Sequence, residues 1–184
     1  MKASFQTWCT MITGPIIRQA LPTEREEIEE LVKAAYQEFR RLFPPGIWES
    51  WLDNLSQAMH CEEGILLVAE SGGHLEGTVK FYPEASQAGL GHWPAGSASM
   101  RLLAVRPGSR GRGYGRLLVE ECLRLARERG IARIYLYTGT FMHAARQLYE
   151  KMGFVRAVDF DRDPGPIAYR LDLGKEDKPE LIHD

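Results

Sequence analysis

At 184 residues the chain is long enough for one domain with its own core, and its hydrophobic fraction of 44% is that of a globular protein. A net charge of -2 gives no global electrostatic case for binding nucleic acid or an anionic membrane, and no stretch approaches the length of a membrane span. The three cysteines, Cys9, Cys61 and Cys122, are widely spaced and form neither a disulfide framework nor a metal pattern, so no metal is expected and the expected compartment is the reducing cytoplasm.

Met1 to Thr13 lacks clear periodicity, although Phe5, Trp8 and Met11 fall three apart. It holds one lysine and no sustained apolar run, a poor match to a signal peptide. Pro15 to Ala20 reads as a short strand. Thr23, with Glu26 three residues on, reads as a capping box opening a helix to about Leu42. Ile28, Leu31, Val32, Ala35 and Phe39 form its apolar stripe, and Glu24, Glu26 and Glu27 suit its positive end. Phe43-Pro44-Pro45-Gly46 stops it, and a second helix covers Ile47 to about Met59.

The continuous apolar run within Gly64 to Glu70 reads as a buried strand. Ser71-Gly72-Gly73-His74 turns the chain. His74 to Tyr82 returns as a strand with Leu75, Gly77, Val79 and Phe81 alternating, giving a hairpin. Pro83 to Gly96 is a long Gly/Pro-rich connection containing His92 and Trp93, and loops of this length are often functional.

Ser97 to Arg106 is the next strand, and Arg116 to Arg129 a helix ended by Gly130. Between them lies Arg110-Gly111-Arg112-Gly113-Tyr114-Gly115. A strand, a glycine-rich turn and a helix N-terminus make an anion site, because the first helical N–H groups lack partners and the macrodipole is positive there. Glycine permits φ > 0 and close approach of a ligand. A Walker A loop is excluded, since Tyr114 and Gly115 stand where Lys and Ser/Thr belong. A dinucleotide fingerprint is excluded by the spacing of Gly111, Gly113 and Gly115. The remaining pattern, Arg/Gln-x-x-Gly-x-Gly/Ala, is met by Arg110, Gly113 and Gly115.

Cys122 falls on the apolar stripe of that helix and reads as a structural thiol. Ile131 to Thr138 is a strand, and Thr140 to Met152 a helix ended by Gly153. Phe154 to Phe160 and Ile167 to Leu173 pair as final strands. Ala144 to Phe154 reads Ala-Ala-Arg-Gln-Leu-Tyr-Glu-Lys-Met-Gly-Phe.

The Arg110–Gly115 pattern resembles the pyrophosphate motif of the GNAT superfamily of acetyl-CoA-dependent N-acetyltransferases. The Ala144–Phe154 run is similar to that family's second signature, and Leu103-Ala104-Val105 to its central strand. Two signatures in the right order carry the resemblance, firmly over residues 97–158. It implies an α/β (α+β) fold, with a mixed, mostly antiparallel, sheet of six to seven strands flanked by about four helices. One N-acetyltransferase domain is expected over residues 14–173, after an extension over 1–13 and before a polar tail over 174–184.

The resemblance also implies chemistry. Acetyl-CoA is the co-substrate. The backbone of Leu103, Ala104 and Val105 would hold the pantetheine arm and polarise the acetyl carbonyl. Backbone N–H groups of Arg110, Gly111, Arg112, Gly113, Tyr114 and Gly115, with Arg116, would hold the pyrophosphate. Tyr149 matches the family's general acid. The first two helices and their connection help form the acceptor pocket, where Phe43, Trp48, Trp51, Glu49 and Asp53 suit an amine. His92 is a further acceptor-side candidate.

Two positions depart from the family pattern. Ser99 stands where many members carry a glutamate, leaving Glu38, Glu49, Asp53, Glu84 and His92 as candidate bases. Met142 stands where an asparagine is frequent. The expected reaction is direct acetyl transfer to a primary amine, on a small molecule or a protein. The alternatives are a CoA-ester sensor and, from the Arg/Gly-rich run, an RNA-binding segment. A homodimer is compatible with the family.

Overall fold

The computed structural model describes residues 14–174. The expected extension over 1–13 and the tail beyond Gly174 lie outside the described residues. Strands β1 (Ile16–Gln19), β2 (Ile65–Ser71), β3 (His74–Tyr82), β4 (Ala98–Val105), β5 (Arg133–Thr138), β6 (Val155–Arg156) and β7 (Ile167–Asp172) form one seven-stranded sheet of order β1-β2-β3-β4-β5-β7-β6. Only β4 and β5 pair in parallel; the other neighbours are antiparallel. Helices α1 (Arg25–Tyr36), α2 (Ile47–His60), α3 (Tyr114–Glu128) and α4 (His143–Lys151) flank it.

The i, i+3, i+4, i+7 stripe Ile28, Leu31, Val32, Ala35 buries α1 against Leu55, Met59, Val68, Leu102 and Ala104. On the opposite face, Leu118, Val119, Cys122 and Ala126 of α3 are fully buried against Phe81, Met100 and Leu136. The Cys122 thiol is pushed up by this burial, consistent with a packing role. The β2–β3 turn has Gly72 at φ 58° and Gly73 at φ 80°, the pair of positive angles a type I′ hairpin requires.

Several local expectations shift. The chain after α1 tightens into a 3₁₀ segment, Gln37–Leu42, rather than continuing the α-helix. Glu24, not Thr23, supplies the local cap, since its carboxylate accepts the Leu21 N–H at 2.7 Å. The strand expected over Phe154 to Phe160 is two residues of β6 followed by a 3₁₀ turn, Val158–Phe160. There the Asp161 carboxylate takes the Ala168 N–H at 2.7 Å.

The largest difference concerns β3, whose second set of side chains is buried too. Thr78 is 0% and Lys80 1% exposed. Lys80 Nζ donates to the carbonyls of Ala58, at 2.8 Å, and Cys61, at 2.6 Å, and so satisfies the C-terminal end of α2. Lys80→Met leaves these carbonyls without that donor. Urea denaturation is expected to show a loss of about 1–3 kcal/mol.

Candidate active site

The site begins with an irregularity in β4. Thr78 pairs with Ala104 but Lys80 pairs with Arg101, so β4 carries one extra residue there. Leu102 takes φ 60°, unusual for a leucine. This is a β-bulge, and because side chains alternate, it reverses their facing. Ala98 and Met100 pack towards α3 before it; Leu102 and Ala104 pack towards α1 after it; Leu103 and Val105 then turn to the α3 side.

The bulge coincides with the end of the parallel ladder. β4 meets β5 only from Ala98 to Met100, opposite Ile134 to Leu136. Beyond Met100 the two strands part, and the β4 edge from Arg101 to Val105 lies open. A cleft of about 540 Å³ fills the opening.

The same cleft runs to the N-terminus of α3. Gly113 caps that helix at φ 89°, and the first helical bond is Leu117 N–H to Gly113 O at 3.0 Å. The N–H groups of Tyr114, Gly115 and Arg116 therefore have no intrahelical acceptor. The helix has 15 residues, long enough for a full macrodipole. A Cβ on Gly113 would meet no atom within 4 Å, so glycine is needed for its positive φ rather than for room.

Of the residues named from sequence, Leu103, Ala104, Val105, Arg110, Gly111, Gly113, Tyr114, Gly115, Arg116 and Tyr149 all line this cleft. Arg112 is exposed beside it and is not among the lining residues. Trp48, Asp53 and His92 are not among them either. Trp48 is buried, whereas Asp53 and His92 are exposed. Among the candidate bases, Glu38 alone lines the cleft, and it pairs with Arg110 at 2.7 Å. The Arg110 guanidinium also donates to Ala35 O at 2.7 Å, which ties the loop to the end of α1. Ser99 is 2% exposed within β4, and Met142 lines the cleft at the start of α4.

Tyr149, on α4, is 5% exposed and packs its ring against Phe154 at 5.6 Å. Burial, with Tyr36 and Cys122 nearby, pushes its phenol above the ordinary value of 10.0, so it is protonated at neutral pH.

Sequence reasoning missed Tyr36, whose hydroxyl donates to Leu103 O at 2.8 Å, at the bulge itself. Burial pushes this phenol up to about 12, against the pull of Arg101 and Arg110. The only sequence signal was its place one position beyond Ala35 on the buried stripe. Tyr36→Phe removes the bond, and the expected cost is about 0.5–1.5 kcal/mol in a denaturant titration. Tyr36 also begins an aromatic cluster. Trp51 lies 5.1 Å from it; Phe39 lies 5.2 Å from Phe141; Phe43 contacts Trp48, Trp51 and Phe141 at 5.0–5.7 Å. The cluster joins the α1–α2 connection to the β5–α4 connection.

Among the described residues, no group of three or more His, Cys, Asp or Glu is arranged to hold a metal, and no helix is long and apolar enough to cross a membrane.

A splayed β4–β5 pair, a bulge at the opening and a glycine-capped helix at its end define this site. The family model described as acetyltransferase (GNAT) family matches residues 26–154. The chain belongs to the GNAT acetyltransferase family.

The sheet order and helix placement are those of GNAT structures. The chain superposes on the PaiA N-acetyltransferase from Thermoplasma acidophilum, solved in complex with coenzyme A, with a TM-score of 0.69 at 17% identity. That match covers 86% of this chain and 99% of the other. An uncharacterized N-acetyltransferase of Schizosaccharomyces pombe is 28% identical over 158 residues, covering 84% of this chain and 92% of that protein. A mycothiol acetyltransferase of Beutenbergia cavernae is 42% identical over 60 residues, which span 33% of this chain and one fifth (20%) of that relative.

Proposed function

We propose that this GNAT protein transfers the acetyl group of acetyl-CoA directly to a primary amine, on a small molecule or a protein N-terminus or lysine. The observation that carries the reading is one continuous cleft. It holds an open strand edge, a helix end with unpaired N–H groups, and a protonated phenol.

The residues present fit acetyl-CoA. Unpaired N–H groups at the start of α3 suit a pyrophosphate, with Arg116 beside them. The open β4 edge suits the amide-bearing pantetheine arm. The thioester supplies an acetyl group that an amine accepts, with a C–N bond formed, a C–S bond broken and a thiolate released. Backbone N–H groups at the Leu103–Val105 edge oppose the negative charge that develops on the carbonyl oxygen. Tyr149 gives its proton to the departing sulfur. The amine enters neutral or loses its proton to a base reached through water; Glu38 is the carboxylate that lines the cleft.

A single catalytic unit over residues 14–173, a cytoplasmic setting and a homodimer remain part of this reading. No nucleic-acid or membrane partner belongs to it. A second reading, CoA-ester binding without turnover, rests on Ser99, a buried serine where a glutamate base is frequent. Calorimetric titration with acetyl-CoA tests the common ground. Saturable binding supports both readings, and its absence removes both.

A further inference from the structure

Arg101 stands in the sequence as a lone cation within the apolar run from Met100 to Val105. It is the residue immediately before Leu102 of the bulge, and it lines the cleft. Its side chain leaves β4 towards α2 and the β3–β4 connection. Nη2 donates to Asn54 Oδ1 at 2.7 Å, and Nη1 donates to Ala88 O at 2.5 Å. Both partners are neutral. Arg101 makes no ion pair among the described residues. The titratable groups that act on it are the phenols of Tyr82 and Tyr36 and the Cys61 thiol, none of them a carboxylate. Arg110 nearby is already neutralised by Glu38 at 2.7 Å.

The guanidinium is half-buried and has no counter-ion, and its partial desolvation pulls its pKa down. Two neutral acceptors orient it but do not balance its charge. Its remaining donors, Nε–H included, have no partner among the described residues. Fixed in place, planar and uncompensated, it is preorganised for a bidentate anion. Beside it, Tyr36 and Phe39 line the same cleft at the edge of the aromatic cluster.

We propose that Arg101 receives the carboxylate of the acceptor, and that the acceptor is an α-amino acid whose apolar or aromatic side chain lies against Tyr36 and Phe39. This deepens the amine-acetylation reading and rests on it. The carboxylate supplies the counter-ion Arg101 lacks, at the residue adjoining the bulge where the acetyl carbonyl is to be polarised. The α-amine, one carbon from the carboxylate, is thereby held near the acyl group.

The test is thiol release from acetyl-CoA by the full chain. L-phenylalanine, L-leucine and L-methionine are compared with their α-amides. The amides keep the side chain and the amine, and their amine is less basic, so more of it is neutral. Without carboxylate recognition the amides win. With it, the acids exceed the amides in kcat/KM by about 10- to 100-fold, the worth of one charge-assisted contact. In Arg101→Met the ratio of acid to amide falls towards unity. The wild-type comparison needs no variant, so misfolding of Arg101→Met does not remove the test.

Equal or better turnover of the amides overturns the assignment. So does turnover confined to polyamines or to amines bearing phosphate, such as O-phosphoethanolamine; either result leaves acetyl transfer standing. Failure of acetyl-CoA to bind in calorimetry sinks both the proposal and the reading beneath it.

Discussion

Tyr149→Phe is expected to lower kcat by about 10²- to 10⁴-fold, the range over which a positioned general acid contributes. The acetyl-CoA dissociation constant should stay near the wild-type value, because the phenyl ring keeps the packing against Phe154. Stability should change little for the same reason. The raised phenol makes a further point about pH. Below the ordinary value of 10.0 the group is protonated both in the folded and in the unfolded chain, so it adds no pH dependence there. Above that value the unfolded chain loses the proton first, and the stability tied to Tyr149 declines as pH rises. An alkaline limb in the rate below pH 10 must then come from another group. Pre-steady-state thiol release across pH checks both statements; an unchanged rate for Tyr149→Phe takes the residue out of the mechanism.

Gly113→Glu is the second large effect. The residue caps α3 at φ 89°, where a side chain is strained, and its carboxylate would stand among the N–H groups that suit a pyrophosphate. Backbone strain of about 1–3 kcal/mol adds to like-charge repulsion, so acetyl-CoA binding should weaken by at least about 100-fold. Calorimetry reads the change. Equal affinity in the variant would move the pyrophosphate away from the helix end.

The features that identified the family lay on the surface of the sequence for a physical reason. A glycine-capped anion loop needs particular residues at fixed spacing, and Arg110, Gly113 and Gly115 display it. Helix α4 carries Tyr149 in a run whose neighbours are equally constrained. Strand β3 fell where alternation placed it, from His74 to Tyr82.

What sequence could not display are pairings across long separations and departures from periodicity that leave composition unchanged. Met100 to Val105 is a uniform apolar run apart from Arg101, so nothing in it marks the bulge at Leu102. Tyr36 meets Leu103 from 67 positions away. Lys80 read as the outward member of an alternating strand. Its burial is set by the end of α2, whose carbonyls need donors. The 3₁₀ segment after Tyr36 shares its composition with an α-helix, and the Arg110 guanidinium that meets Ala35 O near the end of α1 comes from 75 positions away. The side chains gathered around the bulge were the least legible. Arg101 and Tyr36 stand at the cleft because the bulge and α1 bring them there, and neither position carries a mark of this in the sequence.

The most direct measurement of the central claim is thiol release from acetyl-CoA with and without an amine, with the N-acetyl product quantified by mass spectrometry in the same reaction. Direct transfer predicts release that depends on the amine, one N-acetylated product for each thiol, and no acetyl group left on the protein. Saturable acetyl-CoA binding with no amine-dependent release across amino acids, polyamines and peptides would contradict it and leave a binding module in its place.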